Sequence, residues 1–196
     1  MLGVVIVFIA MAGAIAGGKP LQAVEGKGSG AGMAVINENV TAQGTANEGD
    51  PATVPFKIID AKDAGYSIDK VTKVSFKLTW EDTAAKGRLG FGRWYTNTPD
   101  ELTLTVKPPM EGMEPNTDTG ANAQGGSGEV TITFTAEQGI YWDVRELDWT
   151  VSIDANCGDE EPKGIGVMPS VADTSTDWNM EITYSFEVPE GSAAGK

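Results

Sequence analysis

The sequence predicts an all-β fold, an antiparallel β-sandwich preceded by one hydrophobic N-terminal helix. Three observations carry this. The first 18 residues, MLGVVIVFIAMAGAIAGG, hold no charge. After residue 33 the apolar residues recur with a period of two, which puts them all on one face of a strand. The segments between these runs are rich in Gly, Asn, Asp and Pro, as turns require.

Residues 1–18 form the first element. Val4, Val5, Ile6, Val7, Phe8, Ile9 and Met11 leave no polar face, so the segment is not the amphipathic helix of a globular surface. As a helix it reaches roughly 27 Å, just short of a hydrocarbon core about 30 Å thick. Three readings follow: a cleavable signal with Ala14 and Ala16 at an A-x-A site, a short membrane anchor, or an assembly helix that packs against copies of itself. Gly17, Gly18 and Pro20 end the helix. Residues 19–32, KPLQAVEGKGSGAG, read as a flexible linker.

Residues 33–190 form the predicted β-sandwich head, and 191–196 a polar tail. Met33 to Thr41 is the first strand, and Val54, Phe56 and Ile58 mark the second. Val74, Phe76, Leu78 and Trp80 follow, then Leu102, Leu104 and Val106, then Val130, Ile132 and Phe134. Trp149, Val151 and Ile153 come next, and Trp178 to Val188 is the longest run. Seven one-sided strands bury their apolar faces against each other as two antiparallel sheets, in a jelly-roll or immunoglobulin-like arrangement. The stretch Pro108 to Gly128, almost without apolar residues after Met113, reads as a long surface loop.

Two resemblances add to this reading. The run Ile6-Val7-Phe8-Ile9-Ala10-Met11 with the Ala-rich residues 12–16 resembles the N-terminal helix of archaeal archaellins and type IV pilin-like proteins. It implies a subunit that polymerises through that helix. VSFKLTWEDT (Val74 to Thr83), PDELTLTVKPP (Pro99 to Pro109) and GEVTITF (Gly128 to Phe134) resemble the jelly rolls of the proprotein-convertase P domain and the bacterial pre-peptidase C-terminal domain, and archaeal membrane-tethered ectodomains. DTSTDWNMEITYSFEV (Asp173 to Val188) fits the closing strand of such ectodomains. These families imply accessory, binding or structural roles.

The chemistry is bounded by composition. A net charge of −14 opposes a phosphate backbone, so no nucleic-acid partner is expected. With no His, Ser-His and Cys-His nucleophiles are excluded, and an enzyme is not expected. Cys157 is the single cysteine. It reads as a small buried residue.

No cofactor is expected beyond a structural calcium ion. Asn116, Asp118, Gly120 and Asn122 offer oxygen ligands at alternate positions, like the start of a calcium loop. That loop would lack its sixth-position Gly and its twelfth-position Glu, where Ser127 stands. Asp154 with Asp159, Glu160 and Glu161, or Asp143 with Glu146 and Asp148, are other acidic groups able to hold a hard cation. Asn39-Val40-Thr41 is a glycosylation sequon. Trp94 and Tyr95, in the loop Lys86 to Thr96, are the aromatic candidates for stacking on a sugar or a neighbouring subunit. The expectation is an extracellular structural surface protein, pilin-like, whose partner is itself or membrane lipid. The alternative is a tethered or secreted module that binds a glycan, calcium or a cell-wall component.

Overall fold

A computed structural model of the chain describes residues 33–58, 70–81, 93–123, 126–135, 147–158, 160–164, 169 and 172–189. All its elements are strands: β1 (Met33–Asn47), β2 (Ala52–Thr53), β3 (Phe56–Lys57), β4 (Lys70–Glu81), β5 (Arg93–Asn97), β6 (Glu101–Lys107), β7 (Asn116–Ala121), β8 (Ser127–Thr135), β9 (Asp148–Asn156), β10 (Glu160–Gly164) and β11 (Ser175–Pro189). The expected N-terminal helix, with Val4 to Met11, lies outside the described residues.

One sheet has the order β1-β11-β4-β8, the other β2-β9-β6-β7, with β3 also paired to β9. Every pairing between these strands is antiparallel. The chain crosses from one sheet to the other after β1, β3, β4, β7, β8 and β9, the alternation of a jelly roll. The apolar runs of β4, β6, β8 and β9, and that of β11 from Trp178 to Phe186, form the buried sides of their strands. Val74, Phe76, Leu78 and Trp80 face Leu102, Leu104, Val106, Val151 and Ile153 in one continuous core. Aromatic rings join the layers at its centre. Trp149 lies 5.4 Å from Phe76 and 5.5 Å from Phe134, and Phe56 lies 5.5 Å from Phe76. Ring pairs of this kind add about 0.5–1.5 kcal/mol each beyond their buried area.

Two local departures have clear causes. The run Val54-Phe56-Ile58 is not one strand: β2 ends before it at Thr53, and β3 covers only Phe56 and Lys57. Pro55 has no N–H to give to the ladder, although Val54 N still donates to Val151 O at 3.0 Å. On β4, Val71 and Val74 are both buried although three residues apart. A register shift opposite Ser185/Phe186 absorbs the extra residue, and Thr72 Oγ1 donates to Ser185 O at 3.2 Å.

The outer faces are lined with hydroxyls. Thr103 and Thr119 meet at 2.9 Å, Thr105 and Thr117 at 3.1 Å, and Ser75 and Thr133 at 2.8 Å. The first two pairs correct an expectation. Residues 116–121 are strand β7, not part of a long surface loop, and they hold β6 through these hydroxyls and the backbone ladder.

Candidate functional site

Strand β1 pairs with β11 from Met33↔Pro189 to Asn47↔Ser175. The two ends of the head are therefore neighbours at one end of the sandwich, here the near end. The far end holds the end of β1, the end of β4 at Glu81, the starts of β6, β8 and β11, and the end of β9. There Glu48 bridges to Ala155 of the other sheet. The chain turns at Gly49, whose φ of 74° suits a residue without Cβ.

A buried acid organises the far end. Asp100 is 1% exposed, at the start of β6. Its Oδ1 accepts from Gly158 N at 3.0 Å, its Oδ2 accepts a short bond from Thr176 Oγ1, and its carbonyl accepts from Asn122 N at 3.1 Å. Its side chain thus ties the segment after β9 to the start of β11, and its backbone carbonyl holds the end of β7. A Cβ on Gly158 would stand 2.0 Å from Thr98 O, so this close approach requires glycine.

Cys157 is buried, as expected, with Sγ 3.5 Å from Thr176 Oγ1. Burial pushes its thiol pKa up, opposed by the Thr176 contact. A protonated, enclosed thiol is a poor nucleophile. The Cys157-Thr176-Asp100 line is therefore a packing and hydrogen-bonding arrangement.

On this base stands a two-stranded ribbon, β5 paired antiparallel with β10. Strand β5 leads straight into Thr98-Pro99-Asp100, and β10 follows Cys157-Gly158 closely. The Asp100–Gly158 bond clips the two strands together at their root. Trp94 and Tyr95 lie in this ribbon, opposite Lys163 and Pro162. The loop expected around them is replaced at 93–97 by strand, because the partner segment Glu160–Gly164 supplies the missing ladder. Glu161 and Lys163 form an ion pair at 2.7 Å on the same strand. That pair draws the Glu161 pKa below its usual value.

The other predicted residues are scattered. Asn116 and Asp118 are exposed on β7, and Asp118 Oδ1 accepts from Thr119 N at 3.0 Å. Asn122 is 4% exposed and donates through Nδ2 to Gly126 O at 3.1 Å. Its Oδ1, with Nε1 of Trp80, Trp149 and Trp178, has no bonding partner among the described residues. Asp154 is exposed on β9 opposite Thr103, on the sheet face opposite to that of Asp118. Asp148 is 3.2 Å from Lys57. Asp159, Asp143 and Glu146 lie outside the described residues. Among the described residues no three of His, Cys, Asp and Glu cluster closely enough to hold a metal ion. Asn39 is exposed midway along β1, opposite Thr183. Sequence reasoning passed over Asp100 as a site residue. The signal was Pro99-Asp100 directly before an alternating run, a carboxyl placed where a strand begins.

No family model and no curated protein matches the chain. Among solved structures, it is similar to the globular domain of a zebrafish complement 1qA protein, at 19% identity, over 79% of this chain and 95% of that chain, with a TM-score of 0.29. The fold assignment therefore stands on the strand pairings themselves, and the chain is described by what it is built from: a two-sheet antiparallel β-sandwich with a clipped ribbon at its far end.

Proposed function

We propose that this chain is a structural protein of the cell surface, a pilin-like subunit that assembles through its apolar segment 1–18 and holds the β-sandwich outward as a head. The observation that carries the reading is the Met33↔Pro189 pair. The linker 19–32 joins the head at the near end. A head tethered there turns its far end, with the β5–β10 ribbon, away from the tether.

The reading is of a non-enzymatic protein outside the cell. It is supported by the uncharged segment 1–18 and by the lack of His in the sequence. The far-end chemistry agrees with it: Asp100 and Thr176 are spent on holding strands together. The partner in this reading is a second copy of the chain.

Electron microscopy of the native cell surface, with antibody against the head, tests the proposal. Labelled fibres that disappear in a Phe8→Lys strain are the expected result, since an unpaired charge among apolar helices is costly in protein or lipid. Single labelled particles in the membrane, with no fibres, overturn it. N-terminal sequencing of the native protein adds a second check, because cleavage after Ala16 removes the assembly segment.

A further inference from the structure

Strand β1 is an edge strand, and among the described residues its one ladder partner is β11. An open edge is a template for another chain, and soluble proteins blunt such edges with lysine, proline, bulges or shortness. The other edges of this sandwich are blunted. Strands β2 and β3 are two residues each, with Pro55 between them. Strand β7 has six residues. Strand β8 lies against β7, where Gly120 meets Val130 and the Glu129 carbonyl.

Strand β1 has no lysine, proline, bulge or shortness to protect it, and its one inward-pointing charge is Glu38, opposite Tyr184. It runs for 15 residues, MAVINENVTAQGTAN, with one charged residue and no Lys, Arg or Pro. Its register with β11 has no shift from end to end. Its far end is engaged, through the Glu48–Ala155 bridge, so among the described residues the open part is the stretch before Gly44. In that stretch Val40 is 44% exposed, although it alternates with the partly buried Ile36 and Ala42 on the core side of the sheet.

We propose that β1 pairs antiparallel with β1 of a second copy, about a two-fold axis through Val40. This register sets Val40 against the partner's Val40 and buries two exposed apolar side chains together. It sets Asn39 against the partner's Thr41 and Ile36 against the partner's Gly44. Glu38 faces the partner's Ala42, so the two glutamates stand about 13 Å apart along the strands, beyond a Debye length of about 8 Å at physiological salt. In a chain of net charge −14, this strand is a place where two copies meet with little repulsion. The pairing is isologous and closes on itself as a dimer. It belongs to the head and is independent of assembly through segment 1–18.

Oxidative cross-linking of the full chain in detergent tests it, with Cys157→Ser as the background. Val40→Cys is expected to give a covalent dimer, because residues on the axis lie within disulfide reach. Asn37→Cys is expected to give none, because its two copies would sit about 20 Å apart along the strands. Val40→Lys sets like charges face to face. It is expected to weaken the dimer roughly tenfold in sedimentation while circular dichroism stays unchanged. Absence of the Val40→Cys dimer, or equal cross-linking at position 37, overturns the proposal. So does a dimer that survives Val40→Lys, which points to another contact, or protection of β1 by residues 19–32 of the same chain. The Phe8→Lys background separates the two proposals. Cross-linking that persists there supports edge pairing whatever becomes of the fibres, and cross-linking that vanishes assigns the contact to segment 1–18.

Discussion

The four-stranded sheet has two edges, and they are finished differently. Strand β8 is closed. Gly120 of β7 comes so near that a Cβ there would stand 2.7 Å from Val130 Cγ2, and a Cβ on Gly128 would stand 2.2 Å from the Trp80 ring. On β1, Gly44 makes room for the ring of Trp178, but that residue belongs to its own ladder partner β11 and does not cover the outer edge. Towards the near end no other described strand pairs with β1, and Val40 is exposed. Charge does not distinguish the two edges, since each strand carries a single acidic residue, Glu129 on β8 and Glu38 on β1. What closes the β8 edge is Gly120, which lets β7 of the other sheet come against Val130 and the Glu129 carbonyl.

The comparison breaks first if the closed edge does not carry the core. Phe134 on β8 is 1% exposed, 6.3 Å from Phe76 and 5.5 Å from Trp149. Phe134→Ala is expected to cost about 3–5 kcal/mol, the range for emptying a buried aromatic site. A chemical-denaturation loss under about 1 kcal/mol means that β8 is not packed as described. Gly128→Ala comes next, at about 1–3 kcal/mol, because the enclosed Trp80 ring must move to admit a methyl. An unchanged midpoint would show that the edge has slack.

The same contrast explains how much was legible in the sequence. The strands whose apolar residues alternate, β4, β6, β8, β9 and β11, were predictable because period two is what a half-buried strand leaves behind. The pairs that close the edges left no such trace. Strand β7, NTDTGA, has no large apolar residue; it is held by backbone and by Thr117 and Thr119, partners visible only once β6 lies beside it. Strand β10, EEPKG, is a strand because β5 pairs with it. Asp100 was readable as the head of a strand but not as a clip, because its partners are distant in sequence: Gly158 is 58 residues away and Thr176 is 76. Periodicity reports burial of a face, while ladders and clips depend on who the neighbour is.

A titration sharpens the comparison from the open side. Tyr184 of β11 sits opposite Glu38 of β1. Burial, and then the Glu38 charge, push its phenol up to about 12. An unfolded tyrosine ionises near 10. The folded chain thus holds this proton more tightly. The stabilisation is whole below about pH 10 and is lost as pH rises towards 12. An ultraviolet titration is expected to show one of the four tyrosines ionising late and with unfolding. If Tyr184→Phe leaves the alkaline limb unchanged, β1 does not cover β11 at this point.

The smallest effect is expected at the open edge itself, and it is informative because its counterpart is not small. Val→Thr keeps side-chain volume and branching and adds one hydroxyl. At Val130, 4% exposed on the closed edge, that hydroxyl is taken from water among Gly120 and Trp80, and an unpaired buried hydroxyl costs about 1–3 kcal/mol. At Val40, 44% exposed, water remains available to it and threonine suits a strand equally well. The change in the monomer should lie within about 0.5 kcal/mol, the ordinary range for a surface substitution. Both variants are measured by denaturation at a concentration where the chain is monomeric, which removes any contribution from pairing between copies. Equal losses at the two positions would mean that something covers β1 within the monomer, and the distinction between the two edges would fall.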